Sequence, residues 1–381
     1  MSDLAIRPVR STADRRAFVD FAWTVYKEDP AWVPPLKSEV HALLDPKENP
    51  WFGHGRAELF LAWRGDDVAG RISAQVDDLV QPRMPKTGQW GFFDALDGTA
   101  AAALIAAAED SLRGQGMTRA LGPISLSIWD EPGLLIKGFD ERPMAMMGHH
   151  RPEYRAWIEA AGYAKAKDLH TFALDIRIAM IPVIDRLIRS GERNPKIRIR
   201  DVDKGKFAEE AAIILDILND AWSDNWGYVP LTEAEIAYAG KKLKPIIVED
   251  LVKIGEYDDG SGFRPVAFMI TIPDVNEMIA DLNGRLLPFG WAKLLWRLKR
   301  VATSRARVPL MGVRKEFQSS RLASQFAFMM IEYSRRLCVD KYGITGGEFG
   351  WVLEDNQGMM SIAELPGAGI NHTYRIYEKR L

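Results

Sequence analysis

The sequence predicts an α+β protein built from two similar domains, each a mixed, mostly antiparallel and twisted sheet flanked by helices. Three observations support this prediction. The chain has 381 residues, more than one hydrophobic core usually supports. Segments of the first half recur in the same order in the second, so that Arg7 matches Arg200 and Trp23 matches Trp222. Both halves also combine short alternating apolar runs with helical ones, as α+β domains do.

Composition narrows the class of protein further. With 47% hydrophobic and 27% charged residues the chain is expected to fold. Its net charge of -2 excludes the overall basic field of a dedicated nucleic-acid binder, so we expect no nucleic-acid partner. The single cysteine, Cys338, excludes an internal disulfide and a cysteine-rich zinc site. No metal-ligand spacing is present, no secretory signal opens the sequence, and no apolar run could span a membrane. We therefore expect a cytoplasmic protein without a metal.

The first elements of each half are a strand, one or two helices and a hairpin. The opening strands carry Arg7 and Arg200. ELFLAWRGDDVAGRISAQV alternates apolar and polar residues around a Gly-Asp-Asp turn, and LVKIGEYDDGSGFRPVAFMITI repeats this pattern. Alternation broken by such a turn is typical of a β-hairpin.

A long helix, a strand that ends in acidic residues, a short helix and a final strand complete each half. The long helices are TAAAALIAAAEDSLRGQG and RLASQFAFMMIEYSRRLCVDKYG, each ended by glycine. The acidic strand ends are Asp130-Glu131 and Glu354-Asp355. Because Gly191 and Asn194-Pro195 interrupt the pattern between the halves, the predicted domains are 1–190 and 191–381.

An insertion at 275–305 distinguishes the second half. The segment LNGRLLPFGWAKLLWRLKRVATSRARVPL carries seven basic residues and no acid: Arg285, Lys293, Arg297, Lys299, Arg300, Arg305 and Arg307. Leucines and tryptophans at helical spacing predict an amphipathic helix that lies on an anionic membrane surface. Its expected membrane contacts are Trp291, Lys293, Leu295, Trp296, Arg297 and Arg300. The alternative is a helix that packs its apolar stripe on its own domain.

The order of elements resembles the GNAT acyltransferase superfamily, and LMGVRKEFQSSRLASQF resembles the acyl-CoA loop of that family. The resemblance implies acyl-CoA as co-substrate and no tightly bound cofactor. It implies that the strand backbone at Met311, Gly312 and Val313 faces the pantetheine. It also implies that the pyrophosphate binds at the helix N-terminus formed by Gln318, Ser319, Ser320, Arg321, Leu322 and Ala323. Arg321 stands where the family usually has glycine, so its side chain either crowds the phosphates or pairs with them.

Amine acylation needs a base, and a carboxylate at a strand end can serve as one. Glu354 is the first candidate and Glu348 the second, with Asp355 beside them; both could instead be structural acids. Asn356 matches the asparagine that follows this strand in the family. The family's usual tyrosine acid is replaced by Ala363.

The first half offers fewer candidates. His149-His150 is an alternative base or a helix-start element. No acyl-CoA loop precedes the alanine-rich helix, so the first domain is expected to be a degenerate copy on the acceptor side.

Across nearly the whole chain, GFFDALDG, ALGPISLSIWDEPGLLIKGF, DNWGYVPLTEAE, GEFGWVLEDN and TYRIYEK resemble a bacterial tandem-GNAT group that includes ceramide synthases. This resemblance implies acyl transfer from a fatty acyl-CoA to the amine of a sphingoid base, at the inner face of the cytoplasmic membrane. Two alternatives stay open: an acetyltransferase of a soluble amine, and a non-catalytic tandem protein that binds acyl-CoA or lipid.

Overall fold

The computed structural model describes residues 3–381. In the first half the elements are β1 (Leu4–Pro8), α1 (Thr12–Val25), α2 (Lys37–Leu43), β2 (Gly55–Arg64), β3 (Asp67–Asp77), β4 (Thr87–Ala95), α3 (Gly98–Gly114), β5 (Arg119–Gly122), β6 (Ile124–Ser125), β7 (Glu131–Pro132), β8 (Leu134–Lys137), α4 (Glu153–Ala160) and β9 (Ala164–Asp175). In the second half they are α5 (Pro182–Glu192), β10 (Ile197–Asp201), α6 (Phe207–Trp222), α7 (Glu233–Leu243), β11 (Val252–Asp258), β12 (Phe263–Pro273), α8 (Val275–Ile279), α9 (Gly290–Arg300), β13 (Arg305–Val313), α10 (Lys315–Gln318), α11 (Arg321–Arg336), β14 (Gly346–Leu353), α12 (Gln357–Glu364) and β15 (Gly369–Arg380).

These elements form two compact units. Unit 1 contains the described residues up to Leu169, together with Ile279–Gly290 and His372–Leu381. Unit 2 contains His170–Met278 and Trp291–Asn371. The units therefore differ from the expected ranges 1–190 and 191–381, because the final strand of each repeat, β9 or β15, is divided between them.

Unit 1 is a mixed sheet with the strand order β1-β2-β3-β4-β5-β15. All neighbouring pairs are antiparallel except β4 and β5, which are parallel. The alanine-rich helix α3 packs on this sheet because Leu104, Ile105 and Leu112 are buried against the strands, with Trp90 and Phe93 in the same core.

Unit 2 repeats this design with the strand order β10-β11-β12-β13-β14-β9, in which β13 and β14 form the parallel pair. Helix α11 buries Phe326 and Met330 against Val266 and Met269 of β12. The prediction of two similar domains, each a mixed sheet flanked by helices, is confirmed.

Residue Gly191 does not end a domain as the sequence suggested. It lies inside α5, which continues to Glu192 and packs on α11 within unit 2. A Cβ at Gly191 would lie 2.4 Å from the Met329 sulfur, so glycine permits this close helix contact. Ile184 and Ile188 of α5 are buried in the same contact.

Candidate active site

A cleft opens in unit 2 where β13 and β14 separate. Their parallel pairing ends at Val308 and Phe349, whereas β13 continues to Val313 and β14 to Leu353. The cleft has a volume of about 620 Å³. Its walls come from the end of α6 and the turn after it, the end of β13, the start of α11, and α12 with the turn before it.

The edge of β13 presents backbone groups to this cleft. Arg314 N–H donates to Val266 O, and Gly312 lies opposite Phe268 in the register with β12. Because hydrogen-bonded pairs alternate along antiparallel strands, the backbone groups of Met311 and Val313 point to the opposite, open side. Of the three residues expected to face the pantetheine, the structure thus directs Met311 and Val313 toward the cleft and Gly312 toward β12.

Two side chains donate hydrogen bonds to the backbone carbonyl groups of this edge. Trp222 Nε1 donates to Met311 O at 3.0 Å, and Gln318 Nε2 donates to Val313 O at 2.9 Å. The amide N–H groups of Met311 and Val313 are thus the donors that the edge offers to a ligand. An extended ligand can bind there as an added strand.

The loop before α11 is the segment predicted to bind the pyrophosphate. Ser319 and Ser320 are exposed, and the Ser320 hydroxyl donates to Phe317 O at 2.6 Å. The Arg321 guanidinium donates to Ser190 of α5 at 3.1 Å. Gln318, Ala323 and Ser324 line the cleft at this turn. Arg321 therefore bonds to α5, and the small residues Ala323 and Ser324 face the cleft.

Among the acidic candidates, Glu348 is the most buried. Its side chain is 1% exposed and lies 3.5 Å from Arg307 Nε, and Asn371 Nδ2 donates to it at 3.0 Å. Arg307 also donates to Gly350 O at 2.7 Å. Arg307 and Glu348 are directly opposite in the β13–β14 register, one position before the strands separate. The pair holds the two strands together at the base of the cleft.

The turn after β14 brings two other candidates to the cleft wall. Asp355 is exposed and lines the cleft, and Asn356 lines it while its side chain accepts a bond from Met359 N–H at 3.1 Å to cap α12. Glu354 is half-buried and lies outside the described residues that line the cleft. Of the two adjacent carboxylates, Asp355 therefore lies on the cleft wall, and Glu354, the first candidate base, does not. Ala363, at the family's tyrosine position, is buried in α12.

The equivalent opening in unit 1 is closed. Pairing of β4 with β5 ends at Gln89 and Leu121, and the chain then returns against β4. Ser125 Oγ accepts a bond from Phe92 N–H at 3.2 Å. A Cβ at Gly91 would lie 2.2 Å from Ile124 O, so the backbones are in direct contact.

The remaining titratable candidates of unit 1 have structural partners. His149 Nε2 lies 2.7 Å from Asp29 Oδ2, and Leu135 N–H donates to His150 Nδ1 at 3.1 Å. Burial lowers the pKa of His150 to about 3, so this ring is neutral near pH 7 and a weak base. Burial also raises the pKa of the Glu131 carboxyl.

The inserted helix α9 exposes apolar side chains to solvent. Trp291, Leu295 and Trp296 are each about half exposed, and the preceding Leu287 and Phe289 are 80% and 78% exposed. Leu294 and Leu298 of the same helix are half-buried. The leucines and tryptophans of α9 therefore lie partly against the protein and partly in solvent.

The basic residues of the insertion are divided in the same way. Lys293, Lys299 and Arg300 are exposed. Arg297 instead donates to Met278 O, Arg305 pairs with Asp274 and Arg307 with Glu348. Arg297, which was expected at a membrane surface, therefore contacts the protein.

Over residues 3–381, no cluster of three or more histidine, cysteine, aspartate or glutamate side chains could hold a metal ion. Nor does any helix in this range have the length and apolar character needed to cross a bilayer.

Comparison with known proteins identifies the family of the chain. No protein-family model matches the sequence. A curated relative, "Bacterial ceramide synthase" of Caulobacter vibrioides, is 43% identical over 383 residues, which cover 100% of this chain and 98% of the relative. The chain belongs to the bacterial ceramide synthase family. Protein YghO of Escherichia coli is 42% identical, over 99% of this chain and 95% of its own length.

Solved structures agree on the fold of this ceramide synthase family member. A tandem GNAT protein from the clavulanic acid biosynthesis pathway superposes with a TM-score of 0.57 at 12% identity, covering 99% of this chain and 98% of that one. A GCN5-related N-acetyltransferase from Sphaerobacter thermophilus superposes with a TM-score of 0.54 at 12% identity, covering 99% and 95%. The family member is therefore an acyltransferase with a tandem GNAT fold.

The cleft contains residues that the sequence analysis did not select. Asp224, Asn225 and Ser361 line it, and Trp351 lies 6.2 Å from Trp222, ring centre to ring centre. The repeated segment NDAWSDNWGYVPL, which contains Asp224 and Asn225, was the available signal. Nothing in its pattern indicated that the turn after α6 faces the end of β13.

Proposed function

We propose that this acyltransferase moves a long-chain fatty acyl group from acyl-CoA to the amine of a sphingoid base. The observation that carries the proposal is the open cleft of unit 2, where β13 presents the N–H groups of Met311 and Val313 beside a helix N-terminus. The named activity of the Caulobacter relative, at 43% identity, supports this choice of substrates. Acyl-CoA acts as a co-substrate, and no tightly bound cofactor is required.

The donor binds along the cleft. Its pyrophosphate lies at the start of α11, where first-turn N–H groups and the helix dipole favour an anion. The side chains of this turn on the cleft wall are Gln318, Ala323 and Ser324. The pantetheine arm extends along β13 and accepts bonds from Met311 and Val313. This places the thioester where β13 and β14 separate.

The amine attacks the thioester carbonyl directly in a ternary complex. Asp355 takes one proton from the incoming ammonium, and the freed lone pair forms the C–N bond. The C–S bond then breaks, one of the two protons left on the nitrogen passes to the leaving thiolate, and the other stays as the amide N–H, which gives the amide and CoA. Asn356 positions Asp355 by capping α12. Cys338 does not act as a nucleophile, because burial raises the pKa of its thiol to about 12.

Helix α9 places the enzyme at the inner face of the cytoplasmic membrane, where both lipid substrates and the product can partition. Its exposed Trp291, Leu295 and Trp296 insert among lipid headgroups, and Lys293 and Arg300 pair with anionic lipid.

The deciding experiment compares donors and acceptors with the purified full chain. Palmitoyl-CoA and acetyl-CoA are each offered with sphinganine and with polar amines, and products are identified by mass spectrometry. We expect N-palmitoylsphinganine as the main product. Turnover of acetyl-CoA on polar amines alone would overturn the lipid proposal, and absence of product with every acyl-CoA would indicate a non-catalytic binder.

A further inference from the structure

A second cavity in unit 2 lies between the sheet and the helices α11 and α12. We call it the apolar chamber; its volume is about 90 Å³. Aliphatic and aromatic side chains form most of its wall, among them Ile176, Met269, Ala306, Cys338, Phe349 and Ile362. The charged groups on this wall are engaged elsewhere, since Arg335 bonds to Glu332 and Glu348 lies beside Arg307.

The apolar chamber adjoins the point where β13 and β14 separate. Val308 and Phe349, the last paired residues of β13 and β14, line the chamber and also a narrow space of about 40 Å³ at the point of separation. Met311, Leu353 and Asn356 line that narrow space and the cleft. A chain that enters at the thioester position can therefore pass Val308 and Phe349 into the chamber.

Three buried side chains form the wall of the chamber on the side away from the cleft. Ala306, Cys338 and Ile176 are 4%, 2% and 8% exposed and belong to one packed cluster. Ala306 lies two residues before Val308 on β13, on the side away from the cleft. These buried side chains therefore limit the depth of the chamber on this side.

Physical considerations favour an apolar occupant. An unfilled cavity in a core destabilises the fold in proportion to its volume. Apolar cavities exclude water and bind apolar molecules.

We propose that the apolar chamber holds the hydrocarbon chain of the acyl donor, and that Cys338 and Ala306 set the longest chain that fits. This inference rests on the proposed acyl transfer. The sphingoid base also carries a long alkyl chain. The chamber is assigned to the donor because its mouth lies at the position of the thioester carbonyl.

A larger side chain at Cys338 shortens the chamber and tests the assignment. Turnover of Cys338→Phe is measured with acyl-CoA donors from butyryl-CoA to stearoyl-CoA and a fixed acceptor. Each methylene that can no longer be buried weakens the affinity for the donor about fourfold. The ratio of long-chain to short-chain turnover should therefore fall at least about tenfold. The matched control is Val339→Phe, the next residue on the same turn, which lies outside the chamber wall. A Cys338→Phe profile equal to that of the wild type would overturn the proposal.

A second arm varies the acceptor chain while the donor stays fixed. If Cys338→Phe changes the preferred length of the sphingoid base and not of the acyl-CoA, the chamber holds the acceptor and the proposal is wrong.

A third measurement needs no variant and covers the case in which Cys338→Phe does not fold. Wild-type protein is irradiated with an acyl-CoA that carries a diazirine at the methyl end of its chain. We expect the label on peptides that contain Cys338 or Ile176, and labelling only outside the chamber would contradict the assignment. If the wild type transfers no acyl group at all, the proposed function fails, whereas this labelling still decides whether a chain enters the chamber.

Discussion

At the scale of single residues, position in the cleft distinguishes Asp355 from its acidic neighbours. Asp355→Asn keeps the size of the side chain and removes the base, so kcat should fall about 10²- to 10⁴-fold while KM for acyl-CoA changes little. Glu354→Gln should change kcat by no more than a few-fold, because Glu354 lies outside the described cleft wall. Steady-state kinetics with palmitoyl-CoA and sphinganine measure both. The reverse ranking would return the role of base to Glu354.

The buried Arg307–Glu348 pair leads to a prediction about stability. Both side chains are almost fully buried, so Glu348→Gln leaves the guanidinium without its counter-charge. The free energy of unfolding should fall by about 3 kcal/mol, which urea denaturation measures. The double variant Arg307→Met/Glu348→Leu should recover part of this loss. If Glu348→Gln is as stable as the wild type but inactive, Glu348 acts in catalysis and our structural assignment is wrong.

At the scale of elements, the sequence predicted α9 but not its orientation. Helical periodicity identifies the apolar face of a helix. It cannot show which of the charged side chains form hydrogen bonds or ion pairs with the rest of the domain. Arg297 looked equivalent to Lys293 and Arg300 in the sequence, and only the fold brings Met278 O within its reach. The same limit applies to Glu354 and Asp355, because which of two adjacent residues faces a cleft depends on the turn that joins β14 to α12.

The basic residues that α9 exposes lead to a prediction about membrane binding. Charge reversal at Lys293 and Arg300 together should reduce binding to vesicles that contain anionic lipid by at least about tenfold, since each surface cation contributes about 1 kcal/mol. Co-sedimentation with vesicles of neutral and anionic composition measures the effect. Lys27→Glu, a charge reversal at an exposed site outside the insertion, is the control and should leave binding unchanged. Binding that is indifferent to anionic lipid in the wild type would rule out the electrostatic part of this anchor.

At the scale of the whole molecule, the internal repeat was the strongest signal in the sequence, and it predicted two similar sheets correctly. It could not predict that β9 and β15 would each be divided between the two units, because strand pairing over such sequence distances leaves no local pattern. The loss of the cleft in unit 1 was visible only as a missing loop motif. Its physical cause, direct contact of Ile124 with Gly91, appears only in the structure.

The closed opening of unit 1 leads to a prediction about stoichiometry. With Ser125 bonded to Phe92 and Ile124 against Gly91, β4 has no open edge at which a pantetheine could bind. Isothermal titration should therefore give one CoA site per chain. Ser324→Glu places a negative charge at the cleft side of the α11 N-terminus and should abolish that site, because it opposes the pyrophosphate. A remaining site in Ser324→Glu, or two sites in the wild type, would show that unit 1 binds CoA by a route other than the strand edge used in unit 2.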